Sequence, residues 1–556
     1  MTQGNPVTEP YKPEDIAVMG GGLAGCLTAL FAARQKDALG RPQYRVTLYE
    51  ARKSLFDGSS LSAARLHLGG EYPLDPPTGK DCLTGALIWK LLMPRNIYTR
   101  CKPMKFLVAQ ETQSLGERIA SRQPIALANG TWMKADPDDH AWISIDGKNW
   151  HKASRKGHWV TADGITLFTD DEGKFKYLTV EKYLHFYDGI RQQYQLQFDR
   201  IRAARGWSET AAAEALFGMP EEGSFYKPLS RAELEAREFK NVAGGFQSQE
   251  PGLDIALYLP MIEHLLLEEE KKGNLSILTG CKVRKKGIRS LAGGHFEIRF
   301  DNGEVSPPFS QVVQSAGDGG AAITKPEKGE KIMAYRRGMG IFVASALAER
   351  HREPFFVMLA DHGCMFCPGL GQYDAFCYAP GAEASHIDEK ALSSRSRDIP
   401  MKWTRSISKE EEKRRLSKIA DRLHHVAPFL HPIKPVGMIV RHTLNFQDSL
   451  EQRRHETTKE KIRRKIIMYP TKITLAPQAA IEAVEMLRAR SAGRKPGRID
   501  PLEIALRDNA YSLADLPIPD KATLSANFVH AHDDLDPLMN YVNDNDHKRA
   551  NGGRGR

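Results

Sequence analysis

Six consecutive residues, Gly20-Gly21-Gly22-Leu23-Ala24-Gly25, place glycine at all three glycine positions of the pattern G-x-G-x-x-G, and a carboxylate, Glu50, closes the next apolar run. The chemistry this spacing serves is the grip on a dinucleotide. Gly20 lets the chain turn tightly, Gly22 lets backbone N–H groups approach a pyrophosphate, and Gly25 lets a helix pack close on a sheet. The positive end of that helix holds the anion, and Glu50 accepts hydrogen bonds from an adenosine ribose.

The elements that must position these residues are legible around them. Ile16 to Met19 reads as a short buried strand, and Leu23 to Gln35 follows at helical spacing with Leu27, Leu30 and Phe31 apolar. Tyr44 to Tyr49 reads as a second strand ending on Glu50. Glu50 lies further on than the usual ~20 residues because the polar connection Gln35 to Gln43 lengthens the loop.

After Glu50-Ala51-Arg52 comes a small-residue and hydroxyl-rich stretch, Gly58-Ser59-Ser60-Leu61-Ser62-Ala63-Ala64-Arg65-Leu66-His67-Leu68-Gly69-Gly70. It resembles the second flavin-contact loop of the D-amino-acid oxidase (DAO) superfamily of FAD-dependent oxidoreductases. The resemblance spans residues 16 to 73, a central stretch 250 to 320 and, more faintly, 436 to 488. It implies an α/β fold: a Rossmann-like FAD-binding domain of DAO type with a second, mainly antiparallel β-sheet plus helices as substrate domain. It further implies FAD contacts from Gly20, Gly22, Leu23, Ala24, Gly25, Glu50, Ala51, Arg52, Ser59, Ser60, Arg65, His67 and Leu68. In the central stretch the residue matching Val283 touches the adenine through its backbone, and Ala316-Gly317 approaches the pyrophosphate.

The chain of 556 residues is long enough for two or three domains or one large two-lobed enzyme. Its 41% hydrophobic and 27% charged residues describe an ordinary globular protein. No apolar run reaches the ~18–20 residues of a membrane helix, and Met1 to Glu14 lacks the apolar core of a signal peptide. Seven scattered cysteines suit a reducing compartment, so a cytoplasmic protein is expected. The net charge of +10 concentrates at Lys409 to Arg422 and Arg453 to Lys465, where interleaved glutamates mark solvated helix faces. No nucleic-acid motif accompanies them. The cysteines of the C-x-x-C at Cys364 and Cys367, with Cys377 after it, lack the second pair a zinc site needs and read as structural; no metal is expected.

Along the chain the expected division is a flexible N-terminus (1–14), a first cofactor segment (15–110), a substrate-facing segment or insertion (111–249), a second cofactor segment (250–325), a substrate domain (326–435), a C-terminal cofactor segment (436–490) and a polar, partly disordered tail (491–556). Hairpins are expected around Asp146-Gly147 and Asp163-Gly164. Helices are expected at Val180 to Arg205, Ala211 to Phe217, Pro251 to Glu270, Lys409 to His425, Gln452 to Ile467, Ala476 to Leu487 and, as one short helix in the tail, Asp500 to Asp508, with strands at Lys105 to Ala109, Asn274 to Val283, Gln311 to Gly317, Met333 to Leu347 and Pro435 to Phe446.

A flavin supplies the difficult chemistry itself, so the protein must position a substrate C–H bond and tune the ring. His67 and Tyr72 follow the second loop and are candidates to meet ring or substrate. Arg441 is a candidate to anchor a substrate carboxylate. The family brings a C-terminal helix start to the flavin, and here Thr471 to Pro477 lacks the usual glycines, leaving Lys472 to supply positive charge. The leading reading is an FAD-dependent dehydrogenase or oxidase of an amine, amino acid or 2-hydroxy acid, a small-molecule substrate, with O2 or a quinone as acceptor. A flavin monooxygenase or halogenase is the second reading, on Gly317-Asp318-Gly319-Gly320, and a non-catalytic interaction protein on the same fold is the third.

Overall fold

The computed structural model describes residues 11–56, 65–99, 103–153, 157–170, 172–217, 226–250, 252–253, 255–316, 333–343, 354–358, 363–370, 373–378, 390–392, 409–430, 435–447, 453–454, 458–461, 465–468, 473–520 and 523–524. Two large sheets organise them. The first is parallel over five strands, in the order Leu275–Leu278, Tyr44–Tyr49, Glu14–Met19, Gln311–Gln314, Lys465–Met468, with Thr458–Lys461 added antiparallel at the edge. The first strand is central and ends where the glycine turn begins, placing the turn at the carboxyl edge of the sheet, where ligands of doubly wound folds bind.

The helix Leu23–Ala33 is buried at every residue. The run LAGCLTALFAA is apolar all round because three layers cover it: the sheet, the helix Ile255–Lys271 and the helix Ala476–Ser491. Small residues on both sides let the last of these lie close, and Thr28 Oγ1 reaches the Met468 sulfur at 3.3 Å.

The second sheet counts ten strands among the described residues. Its backbone is mainly antiparallel, with one parallel pair, Met104–Ala109 beside Phe355–Met358. Val242–Ser248, Gly363–Leu370, Tyr373–Tyr378, Met333–Val343 and Pro435–Gln447 continue it. The helix Val180–Arg205 packs along it, started by the Thr179 side chain on Lys182 N–H and stopped by left-handed Gly206. A small β module between residues 125 and 176 holds both expected hairpins, Ala141–Ser144 with His151–Lys152 and Gly157–Val160 with Thr166–Thr169. It closes its own core with Leu115 and Ile119 of the helix Gln110–Ala120. Among the described residues, no helix is long and apolar enough to cross a membrane.

Several expectations are corrected. The helix expected over Gln452 to Ile467 is three short strands, Arg453–Arg454, Thr458–Lys461 and Lys465–Met468. Charge interleaving mimics a helical face there, but Lys465–Met468 is buried throughout as the fifth parallel strand, and the sheet overrides the propensity. The helix expected from Pro251 begins at Ile255, because Gly252–Leu253 pairs with Tyr98–Thr99. The strand expected over Asn274 to Val283 is two: Leu275–Leu278 ends on the parallel sheet, and Val283–Ser290 starts a hairpin with Phe296–Phe300. Met104–Ala109 and Pro435–Gln447, assigned above to cofactor segments, both pair in the second sheet. In the tail the expected short helix forms as Pro501–Arg507, while Tyr511 and Leu513 after it, like Leu502 within it, are fully buried in the main core rather than mobile. Tyr511 meets Phe31 edge-on at 5.2 Å, and Leu513 N–H donates to Leu92 O at 2.7 Å.

Candidate functional site

The glycine turn is tight for reasons its backbone makes explicit. Gly20 has φ +107°, and a Cβ there would sit 2.3 Å from Ser315 O and 2.9 Å from Ala316 Cα. At Gly25 a Cβ would lie 1.9 Å from Gly20 O. Gly22, in contrast, is the helix N-cap at φ −74°, ψ 170°, a conformation open to any residue. Gly22 at the N-cap has no side chain to offer and no acid lies in the helix's first turn, so the positive end of its dipole carries no acid of its own helix, as an anion site requires.

Glu50 is pinned beside the turn. One carboxylate oxygen accepts Gly21 N–H at 2.5 Å and the other Arg52 N–H at 2.8 Å. A carboxylate has about four lone-pair sites, so two remain for ribose hydroxyls. Its carbonyl takes Cys281 N–H at 2.8 Å, which brings the start of the Val283–Ser290 strand alongside. The Cys26 thiol, buried below the turn, donates to Gly21 O, and burial followed by the Glu50 charge pushes it far from ionisation. It is therefore an inert packing group.

The second cluster lies at Arg65 to Tyr72. Arg65 is buried between two carboxylates: Nη1 donates to Glu71 Oε1 at 2.8 Å, and Nη2 to Glu250 Oε2. Glu250 Oε1 also accepts Leu68 N–H at 2.7 Å. Burial pushes the Glu250 carboxyl up, and Arg65 opposes that shift. His67 N–H donates to Thr474 Oγ1 at 3.1 Å, its Nδ1 lies 3.2 Å from Glu71 Oε2, and its ring meets Tyr72 edge-on at 6.1 Å. That Nδ1–Oε2 contact has hydrogen-bond length but is off the line a hydrogen bond needs. The side-chain ligand atoms of His67, Glu71 and Glu250 lie within 4.8 Å of one another, and the Arg65 guanidinium already supplies cationic charge to the two carboxylates.

Thr474 comes from the turn before the helix Ala476–Ser491, and this turn is clamped on the helix Pro76–Leu92. Trp89 Nε1 donates to Ile473 O at 3.2 Å, and a Cβ at Gly85 would meet Thr474 O at 2.5 Å. The described residues thus form two clusters, one of the glycine turn, Glu50 and Ala316, the other of Arg65, His67, Leu68, Tyr72 and the turn at Thr474. Leu23 and Ala24 open the helix; Ala51 and Arg52 are exposed beyond Glu50. Ser59, Ser60, Gly317 and Lys472 lie outside the described residues. Arg441 lies on the strand Pro435–Gln447 opposite Gly338, in the second sheet; its side chain is outside the described set, as are those of Cys364, Cys367 and Cys377.

Sequence reasoning missed Glu71, Glu250 and Thr474. A signal existed for Glu250, a carboxylate two residues past the end of the strand Val242–Ser248, and for Glu71 at i+4 from His67. Nothing local marks Thr474. A separate cleft of about 1010 Å3 opens next to Pro73 and Pro76, between the helices Gln110–Ala120 and Val180–Arg205, with Lys80, Lys176 and Tyr177 on its wall. No residue of the glycine turn lines it.

A parallel sheet with the glycine turn at its carboxyl edge, a pinned ribose-type glutamate and a second, antiparallel sheet defines a two-lobed dinucleotide-dependent fold. A family model described as DAO, FAD dependent oxidoreductase, matches residues 15–436, and the chain belongs to that family. No curated protein matches it significantly in sequence. Among solved structures, L-alpha-glycerophosphate oxidase from Mycoplasma pneumoniae is 16% identical with a TM-score of 0.51, over 86% of this chain and 95% of that one. L-proline dehydrogenase from P. horikoshii is 10% identical with a TM-score of 0.51, over 89% and 98%. Glycine oxidase from Geobacillus kaustophilus is 14% identical with a TM-score of 0.48, over 90% and 99%. At these identities the likeness is one of fold.

The chain is an FAD-dependent oxidoreductase, and its residues fit the cofactor. The glycine turn leaves no room for Cβ atoms at Gly20 and Gly25, the helix's own first turn holds no acid, and Glu50 is pre-oriented.

Proposed function

We propose that this oxidoreductase removes a hydride from a small amine, amino acid or 2-hydroxy acid, with Gly20, Gly22, Gly25, Glu50 and Ala316 holding the adenine-dinucleotide part and His67 at the reacting end. The observation that carries the reading is the bond from His67 N–H to Thr474 Oγ1. It ties the segment after the cofactor loop to the turn before the helix Ala476–Ser491 and so gathers the imidazole, that turn and Tyr72, which supports a reacting end made of these groups. FAD, when bound, supplies the hydride acceptor. The chain's own tasks are to orient the substrate, keep the site dry and take the substrate's hydroxyl or ammonium proton, for which His67 Nε2 is the group assigned. Arg441 is the assigned carboxylate anchor, and Lys472 the charge near the flavin ring.

Anaerobic mixing of the yellow protein with L-proline, other amino acids, secondary amines, glycerol 3-phosphate and 2-hydroxy acids tests this. Bleaching by one substrate class is expected. NADPH consumption without any such bleaching supports the monooxygenase alternative, and a colourless purified protein the non-catalytic one.

A further inference from the structure

We infer that the cleft beside Pro73 and Pro76 is a binding site for an organic carboxylate with an apolar body, separate from the dinucleotide cradle. Residues of the helices Pro76–Leu92, Gln110–Ala120 and Val180–Arg205 and of the segment 175–179 line it. At about 1010 Å3 it has the volume of a site for a drug-sized molecule. Neither the glycine turn nor Glu50, Arg65, His67 or Tyr72 lines it, so the tasks assigned to those residues do not account for it.

The frame of the cleft is fixed before any ligand arrives. Gln113 Oε1 accepts Val180 N–H at 2.7 Å, which ties the helix Gln110–Ala120 to the start of Val180–Arg205. A Cβ at Gly79 would lie 3.1 Å from the Phe186 ring, and one at Gly116 would strike Leu178 O, so the lining elements are in close contact around the cavity. Gly189 is different. It stands on the cleft wall well inside the helix Val180–Arg205, and a Cβ there would have no heavy atom within 4 Å. Glycine is a poor helix former, and no close approach of a neighbouring element requires it here; its effect is to keep room in the cleft.

Phe175, Tyr177 and Ile190 are buried along the lining and give the cleft an apolar side. Of its cations, Lys182 is engaged, with its ammonium 3.3 Å from the Tyr177 ring centre and 3.5 Å from Asp139. Among the described residues, no ion pair or side-chain hydrogen bond engages Lys80, Lys176 or His185. Two acids also line the cleft: Glu117 accepts the Gln113 amide at 2.7 Å, and Glu181 lies in the first turn of its helix, where the dipole stabilises it. Unengaged ammonium groups beside an apolar wall suit a carboxylate on a hydrocarbon or aryl body.

The test is calorimetric titration of the full-length, FAD-loaded protein with 4-phenylbutyrate, octanoate and indole-3-acetate, each matched by its neutral primary amide. Saturable binding of at least one acid is expected, with its amide at least about tenfold weaker. Gly189→Phe fills the cleft and abolishes that binding, while FAD content and thermal midpoint stay at the parent's level. The double variant Lys80→Gln, Lys176→Gln weakens the acid at least about tenfold and leaves the amide unchanged, and it decides the matter should Gly189→Phe fail to fold. No saturable binding of any of the three acids overturns the inference, as does an amide as tight as its acid, or acid binding that a folded Gly189→Phe or the double variant leaves intact. An acid that binds the apoprotein but not the FAD-loaded form occupies the cradle and also overturns it.

Discussion

Substituting Gly25 by alanine sets two effects of opposite sign against each other. Alanine favours a helix over glycine by at most about 1 kcal/mol, so on an open helix face Gly25→Ala stabilises. Here the new Cβ falls 1.9 Å from Gly20 O and 3.1 Å from Gly20 C. A carbon–oxygen contact relaxes at about 3.3 Å, so the helix start must lift from the turn by more than an ångström. Gly20 is itself held at φ +107°, with Ser315 O standing where a Cβ would go. Overpacking of this kind costs about 1–3 kcal/mol, at the upper end when the obstacle is main chain, leaving a net loss of about 1–2 kcal/mol. The same lift withdraws the helix N–H groups from the pyrophosphate. Losing one charge-assisted bond of about 1.5–3 kcal/mol weakens FAD at least tenfold. The assays are the thermal midpoint of the apoprotein, expected to fall by a few degrees, and FAD titration by quenching of flavin fluorescence. An apoprotein as stable as the parent, or more so, with unchanged FAD affinity would refute the argument.

Gly22→Val separates ligand from fold: its φ of −74° suits any residue, so the apoprotein midpoint should stay near the parent's while FAD retention on purification is lost, and full yellow colour would remove the pyrophosphate role. Tyr511→Ala deletes a fully buried ring that meets Phe31 and a hydroxyl that donates to Glu485 at 2.7 Å; a loss of about 3–5 kcal/mol is expected, and a midpoint shift under a degree would return residues 501–513 to the status of a loose tail. Asp81 is pushed up to about 6 by burial and then by Glu482 and Asp75. Between about pH 4, its unfolded value, and pH 6 the folded protein keeps a proton the unfolded chain releases, so this group's contribution falls as pH rises through that window. Asp81→Asn should flatten the slope and add up to about 1 kcal/mol at pH 7, after allowing for solvent screening; a parent-like pH profile would count against it.

The amino-acid sequence by itself determined the cofactor end of this protein. The glycine turn, the strand before it, the helix after it and Glu50 are local: their spacing follows from the reach of one strand–turn–helix–strand unit, and Tyr44–Tyr49 and Val180–Arg205 fall where periodicity and caps put them. What tertiary structure alone decided is pairing across long separations. Lys465–Met468 carries helix-like charge around it and becomes a strand because the sheet beside Gln311–Gln314 has an open edge. Residues 501–513 mix Leu502, Tyr511 and Leu513 with charged neighbours, and these three are buried because Leu92 and Phe31 belong to a core that receives them. The cluster of Arg65, His67, Glu71, Glu250 and Thr474 spans more than four hundred residues. Its members bear no pattern in common, since what joins them is the need of buried charges and N–H groups for partners, and that need exists only once folding has excluded water.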